Sequence, residues 1–398
     1  MFRPDHPLWS AGFRPFFLGG AIYGPLVILS WLASHAGIAP LVPFGFSPGL
    51  WHAHELLAGY GTAVITGFVI TGIPSWGECP AIERHPLMAL FAVWLAGRAA
   101  LWATPVIGTT AGALVDLLYF PLLALLAIPG LRQSRYRAFY GILPILAAFF
   151  AANLAFHAAI IAGDAAGARL GMEAFLYTII VLYTLVGGFL APIFTETELR
   201  AAGTDITIPF LPLLEGFCLL AVLAYAASGL MALPGPLAGT IAGITLALHL
   251  FRFWRWRGWR CGGHPLLWVI HLSYLWFLTS VGLRGLADLG FPVPAMAAVH
   301  AFTVGAFGLM KIGFMTRVAL RHTGRVLSPG AAMVTGFWLM LAAAAVRLGA
   351  AFGYWPGALM AASSILWAAP FLIYLTVHGP MLAGRSLPAQ VSRPGDSP

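Results

Sequence analysis

Apolar residues run in long blocks along this chain, broken by short clusters of Pro, Gly and Arg. A helix needs about 20 mostly apolar residues to cross the hydrocarbon core of a bilayer. Twelve blocks reach that length, at roughly 13–35, 51–74, 86–104, 109–130, 138–162, 172–194, 208–230, 234–256, 265–287, 293–317, 329–350 and 355–378. Across 398 residues they leave room only for short connections. The pattern predicts an all-α, polytopic membrane bundle of about twelve transmembrane helices. It forms one domain over 1–382, followed by a disordered cytoplasmic tail over 383–398, where Pro, Ser and Gly accumulate.

Composition narrows the class further. The chain is 60% hydrophobic and only 9% charged, whereas a soluble domain carries about 25% charged residues and could not be coated by so few. Disordered and coiled-coil classes fall with the same figures. Three cysteines, Cys79, Cys218 and Cys261, give no CxxC pair and one is odd, which excludes a disulfide frame and a thiolate zinc site. Cys261-Gly-Gly-His264 has a two-ligand spacing but falls far short of a complete metal site.

Charge orients the spans. With an even count and the N-terminus inside, the cytoplasmic segments hold sixteen of the 21 basic residues, the exceptions being Arg98, Arg169, Arg284, Lys311 and Arg347. Such a bias predicts that both termini are cytoplasmic. The net charge of +8 therefore reports topology and lipid phosphate rather than nucleic acid. The run from Arg252 to Arg260, with its interleaved tryptophans, reads the same way, as an interfacial anchor.

Twelve histidines are many for a chain so poor in polar groups, and polar residues inside a membrane are expensive and tend to be functional. His35, His52, His54, His157 and His300 fall at or within the outer half. His52 and His54 open span two, His157 lies near the outer end of span five, and His300 lies near the outer end of span ten. Separate helices thus bring imidazoles to one depth, which is how bundles build haem and metal sites; equally, each ring can be a hydrogen-bonded core residue. Convergence on one common pocket is the expectation. His52 and His54 cannot share a helix face, since residues i and i+2 point about 200° apart. Glu55, three residues after His52, can orient that imidazole or simply favour the helix N-terminus.

The remaining buried charges sort by depth. Arg98 (span three) and Asp116 (span four) lie in the outer half and can pair. Arg284 and Arg347 end spans nine and eleven on the same side, where guanidiniums either neutralise the carboxylates of a cofactor or anchor the helix at the interface. Glu173 opens span six at the outer face. Glu215 (span seven) and Lys311 (span ten), the deep acid and the deep lysine of the inner half, are expected to pair with each other. Together with Glu55 and Glu173 they are also the candidates for a proton path.

Several segments carry a resemblance. Gly12-Phe-Arg-Pro-Phe-Phe17, Trp51-His-Ala-His-Glu55, Gly67-Phe-Val-Ile-Thr-Gly-Ile-Pro-Ser-Trp-Gly77, Leu95-Ala-Gly-Arg98, Asn153-Leu-Ala-Phe-His157, His300-Ala-Phe-Thr-Val-Gly-Ala-Phe-Gly308 and Met315-Thr-Arg-Val-Ala-Leu-Arg-His-Thr-Gly-Arg325 resemble the NnrS family, in order from about residue 7 to 385. Two positions depart from the family pattern: Phe189 stands where Arg is usual, and Lys311 where a small or apolar residue is usual. The resemblance implies a bacterial inner-membrane protein containing haem and copper, linked to nitric oxide and to relief of nitrosative stress. It also implies that His52, His54, His157 and His300 hold the cofactors.

Three functions are compatible with these readings. The first is a haem protein, with copper, that binds or transforms nitric oxide and draws electrons from a quinol or cytochrome. The second is a secondary transporter using Arg98, Asp116, Glu215 and Lys311. The third is a gas or haem sensor without turnover.

Overall fold

The structure, a computed structural model, describes residues 3–39, 43 and 47–388. It is all-α among the described residues. Twelve helices are long and apolar enough to cross a membrane: α1 (Phe13–His35), α2 (Pro48–Gly77), α3 (Arg84–Trp102), α4 (Thr109–Gln133), α5 (Arg137–Ile161), α6 (Ala165–Ala201), α7 (Pro212–Leu230), α8 (Gly235–Arg255), α9 (Pro265–Asp288), α10 (Ala295–His322), α11 (Gly330–Ala351) and α12 (Pro356–Ala383). All twelve expected spans are present. The largest difference is α6, whose 37 residues correspond to about 55 Å at 1.5 Å per residue. The hydrophobic block ends near 194, but the helix runs on through Glu196, Glu198 and Arg200. The expected tail lies, from residue 389 onward, outside the described residues.

Local chemistry sets the helix starts. Pro occupies the first turn of α2, α7, α9 and α12, where its missing N–H is not needed. The Asp164 carboxylate accepts from the backbone N–H of Ala166 and Gly167, both at 3.0 Å, and so caps α6.

Sequential neighbours pack as antiparallel pairs, notably α3 with α4, α5 with α6, α8 with α9 and α11 with α12, while α1 lies against α2 and α12. In α1, α2, α6, α9 and α10, between 56 and 72% of the hydrophobic window is buried inside the protein, against 33 to 39% in the other seven. Five helices therefore form the centre, and the others turn most of their apolar surface outward. Since lipid is as apolar as leucine, close packing and buried polar pairs hold such a bundle together.

Two polar ties fasten the Arg-rich end. The Arg14 guanidinium donates to the carbonyls of Leu382 (2.8 Å) and Gly384 (2.6 Å) and to Ser386 Oγ (2.8 Å), clasping the end of α12 to α1. Glu215 pairs with Arg252 of α8, not with Lys311 as expected. Arg252 is 5% exposed and lies over Gly188, where a Cβ would collide with the guanidinium. Arg252, the first residue of the run taken for an interfacial anchor, is thus buried inside the bundle.

Two central helices are not uniform. α2 changes from α-helix over Pro48–His54 to π-helix over Glu55–Gly61 and back. α10 does the same, with α-helix over Ala295–His300 and π-helix over Ala301–Ala306. Each wide turn begins directly after a histidine. A π turn leaves carbonyls off the α-helical register, and side-chain donors meet them here. Trp94 Nε1 donates to the Gly59 carbonyl at 3.0 Å and Thr62 Oγ1 to that of Ala58. Ser280 Oγ donates to Ala298 at 2.8 Å and Thr303 Oγ1 to Val299 at 2.9 Å.

Candidate functional site

The outer-half histidines do not meet in one pocket. They form two groups, on opposite faces of α2, because His52 and His54 point apart as the helix period requires.

One face carries a closed polar cluster built by α2 to α5. The Arg98 guanidinium bridges two carboxylates: Nη1 donates to Glu55 Oε1 at 2.7 Å, and Nη2 pairs with Asp116 Oδ1. The expected Arg98–Asp116 pair is therefore present. Asn153 Nδ2 and His157 Nε2 both bond Asp116 Oδ2, at 2.8 and 2.9 Å. His54 Nδ1 bonds Glu55 Oε1 at 2.7 Å, and its Nε2 faces Asn153 Oδ1 at 2.9 Å. Tyr23 adds a hydroxyl to Glu55. All six polar residues of α2 to α5 in this network, Glu55, His54, Asn153, Asp116, His157 and Arg98, are at most 3% exposed.

Glu55 is a candidate either to orient His52 or to favour the start of its helix. It serves His54 instead, drawn to that side by Arg98 and Tyr23. Among the described residues, His54, Asp116 and His157 form the one group with three metal-ligand atoms close together, all within 4.8 Å of one another. Leaving the imidazoles aside, the formal charges are −1 for Asp116, −1 for Glu55 and +1 for Arg98, a net of −1. Two imidazoles and a carboxylate in a net-negative pocket are a donor set suited to a divalent transition metal.

The other face of α2 borders a cavity of about 450 Å³. Its walls come from α1, α2, α6, α10, α11 and α12, and its polar groups include His52, Arg169, Glu173, His300, Lys311 and Arg347. His300 Nδ1 donates to the Met296 carbonyl at 2.8 Å, and its Nε2 accepts from Arg347 Nη2 at 2.9 Å. That bonding fixes a neutral ring whose lone pair points at Arg347. The His52 ring lies 4.5 Å from that of Trp31, and its buried Nδ1 has no hydrogen-bond partner among the described residues. The cavity falls in the size range of small-molecule and cofactor sites, about 300–1,000 Å³.

Several other expectations are resolved by these positions. Arg284 is held by Asp288 one turn along its own helix, at 2.8 and 2.9 Å, and does not line the cavity. Arg347 does line it. The four charges of the transporter reading lie in three places: Arg98 with Asp116, Glu215 with Arg252, and Lys311 without an acid among the described residues. They do not form one site. Of the proton-path candidates, Glu55 is fixed in the cluster, Glu215 in its ion pair, and only Glu173 and Lys311 face the cavity. Cys261 is fully buried beside Leu199, Ile206 and Leu267, as core filler.

Asn153 and Tyr23 are the participants that sequence reasoning passed over. Asn153 had a signal: it is the single asparagine of the chain. An amide at that depth is costly without partners.

The fold and the two sites define a multi-pass membrane protein with a buried histidine–carboxylate cluster beside a cationic cavity. The family model described as "NnrS protein" matches residues 7–385, nearly the whole chain. The chain belongs to the NnrS family. No curated protein matches it.

Proposed function

We propose that this chain is an integral-membrane haem and copper protein that binds or transforms nitric oxide and protects against nitrosative stress. Its setting is the bacterial inner membrane, with both termini cytoplasmic and both sites in the periplasmic half. Haem belongs in the cavity and copper in the His54–Asp116–His157 cluster.

The observation that carries this reading is the chemistry of the cavity wall. It combines an orphaned imidazole nitrogen on His52, a neutral His300 with its lone pair turned to Arg347, and volume for a large ligand. A flat apolar macrocycle bearing two carboxylates fits that lining: imidazole ligates iron, and Arg347 and Arg169 suit the carboxylates. When bound, haem would supply an iron centre that takes nitric oxide and exchanges single electrons. The protein's own residues do the rest. Met296 fixes the tautomer of His300, the aromatic wall at Trp31 and Trp367 limits water, and Glu173 is the acid at the cavity edge. Electrons would come from a quinol or a cytochrome.

For copper, the cluster offers two imidazoles and one carboxylate already oriented by Glu55, Asn153 and Arg98. The test is an optical spectrum with metal analysis on detergent-purified protein. A haem absorbance band is expected, lost in His300→Ala or His52→Ala and retained in His157→Ala, with copper showing the opposite dependence. Protein without chromophore or metal, or a band indifferent to both cavity histidines, would overturn the assignment. Quinol-driven consumption of nitric oxide separates turnover from sensing.

A further inference from the structure

Lys311 is the single lysine of the chain, and it is only 5% exposed in the middle of α10. No acid pairs with it among the described residues. Its Nζ lies instead on the faces of Tyr60 and Phe307, 3.9 Å from each ring centroid, with Trp367 at 5.9 Å. The buried Tyr60 hydroxyl has no hydrogen-bond partner either. Lys311 lines the floor of the large cavity and, with Phe307, also borders a second, apolar chamber of about 60 Å³.

Aromatic faces attract a cation, but they do not replace the water that a buried ammonium gives up. The cavity beside it offers no acid of its own to Lys311, since two guanidiniums, Arg169 and Arg347, already face the single acid in the lining, Glu173. Whatever meets the two guanidiniums, the Lys311 amine in this lining has no anionic partner among the described residues. We propose that Lys311 is the receptor for a monoanion that enters this cavity. The anionic group is an inorganic ion of the nitrite or thiocyanate kind, or the carboxylate of a short apolar chain. Lys311 is set apart from His300 within this cavity, because it lies eleven positions further along α10, roughly 16 Å along a helix. It goes beyond the cofactor reading and does not depend on it.

The experiment is equilibrium binding of radiolabelled thiocyanate to the full-length protein as purified, in lipid nanodiscs. Saturable binding is expected, weakened at least tenfold in Lys311→Met and kept within about threefold in Lys311→Arg. The methionine variant should elute as the wild type does, since a similar apolar chain replaces an unpaired charge. Displacement by nitrite identifies the inorganic source, and displacement by decanoate the carboxylate source. Absence of saturable binding in the wild type, or equal binding in Lys311→Met, would overturn the proposal. Thiocyanate seated on a metal would persist in that variant and change the optical spectrum, so failure here is distinct from failure of the cofactor reading.

Discussion

The two faces of α2 solve opposite problems with similar residues. Toward α3, α4 and α5, His54, Glu55, Asn153 and Asp116 bond one another and Arg98, whose buried Nε has no partner among the described residues. Toward α10 and α11, His52 Nδ1 and the Trp31 indole nitrogen have no hydrogen-bond partner among the described residues, and Lys311 meets aromatic faces rather than an acid, around open volume. Inside a membrane an unmet polar group is costly. The cluster accordingly ties α2 to α5 together through buried polar pairs, whereas the cavity wall presents polar groups that a ligand could meet.

The sharpest way to break that contrast is Asp116→Ala. It leaves Arg98 half-paired and strips partners from Asn153 and His157, so the expected loss is on the order of 3–5 kcal/mol. Thermal unfolding in detergent should show it as a lower midpoint or an unfolded product. His300→Ala, by contrast, should keep the midpoint within about 1 kcal/mol of wild type, because the ring faces open volume rather than close-packed neighbours, while removing the absorbance band that the proposed haem would give. An Asp116→Ala midpoint equal to that of the wild type, or an unfolded His300→Ala, would erase the distinction. Gly59→Ala is a finer probe. Its Cβ would sit 2.9 Å from Arg98 Nη1 and 3.0 Å from Tyr23 Cε1, an overpacking cost of about 1–3 kcal/mol. The damage should fall on the cluster side, lowering bound copper before it lowers haem.

The smallest effect concerns the cysteines. Burial pushes the Cys261 thiol up to about 11, so at pH 7.5 the reactive thiolate is rarer than roughly one in a thousand. Maleimide should label the partly exposed Cys79 and leave Cys261 untouched, with labelling of Cys261 rising only as pH climbs toward 11.

The spans were legible because apolar length is a one-dimensional property; α6 alone ran well past its block, since helix can continue through charged residues once outside the apolar stretch. The Arg98–Asp116 pair was legible from depth alone, and so was the opposed placement of His52 and His54, which needs only the helical period. The partner of Glu215 was not. Depth suggested Lys311, but Arg252 reaches it over Gly188, a contact that depends on which helices are neighbours. The π turns were equally invisible, because their carbonyls are met by Trp94 and Ser280 from other helices. Helix order around the bundle, which no single-chain pattern encodes, also decided that the imidazoles divide between two sites.

The Arg14 clasp has a practical corollary for anyone handling this protein. One guanidinium, near the front of the chain, grips acceptors at its far end, so the seam between the first and last helices is stitched across residues 381 to 386. A fusion partner attached after residue 388 leaves the stitch whole, but a truncation at Ala383 removes the Gly384 and Ser386 acceptors and leaves this buried cation the carbonyls of Met381 and Leu382 alone.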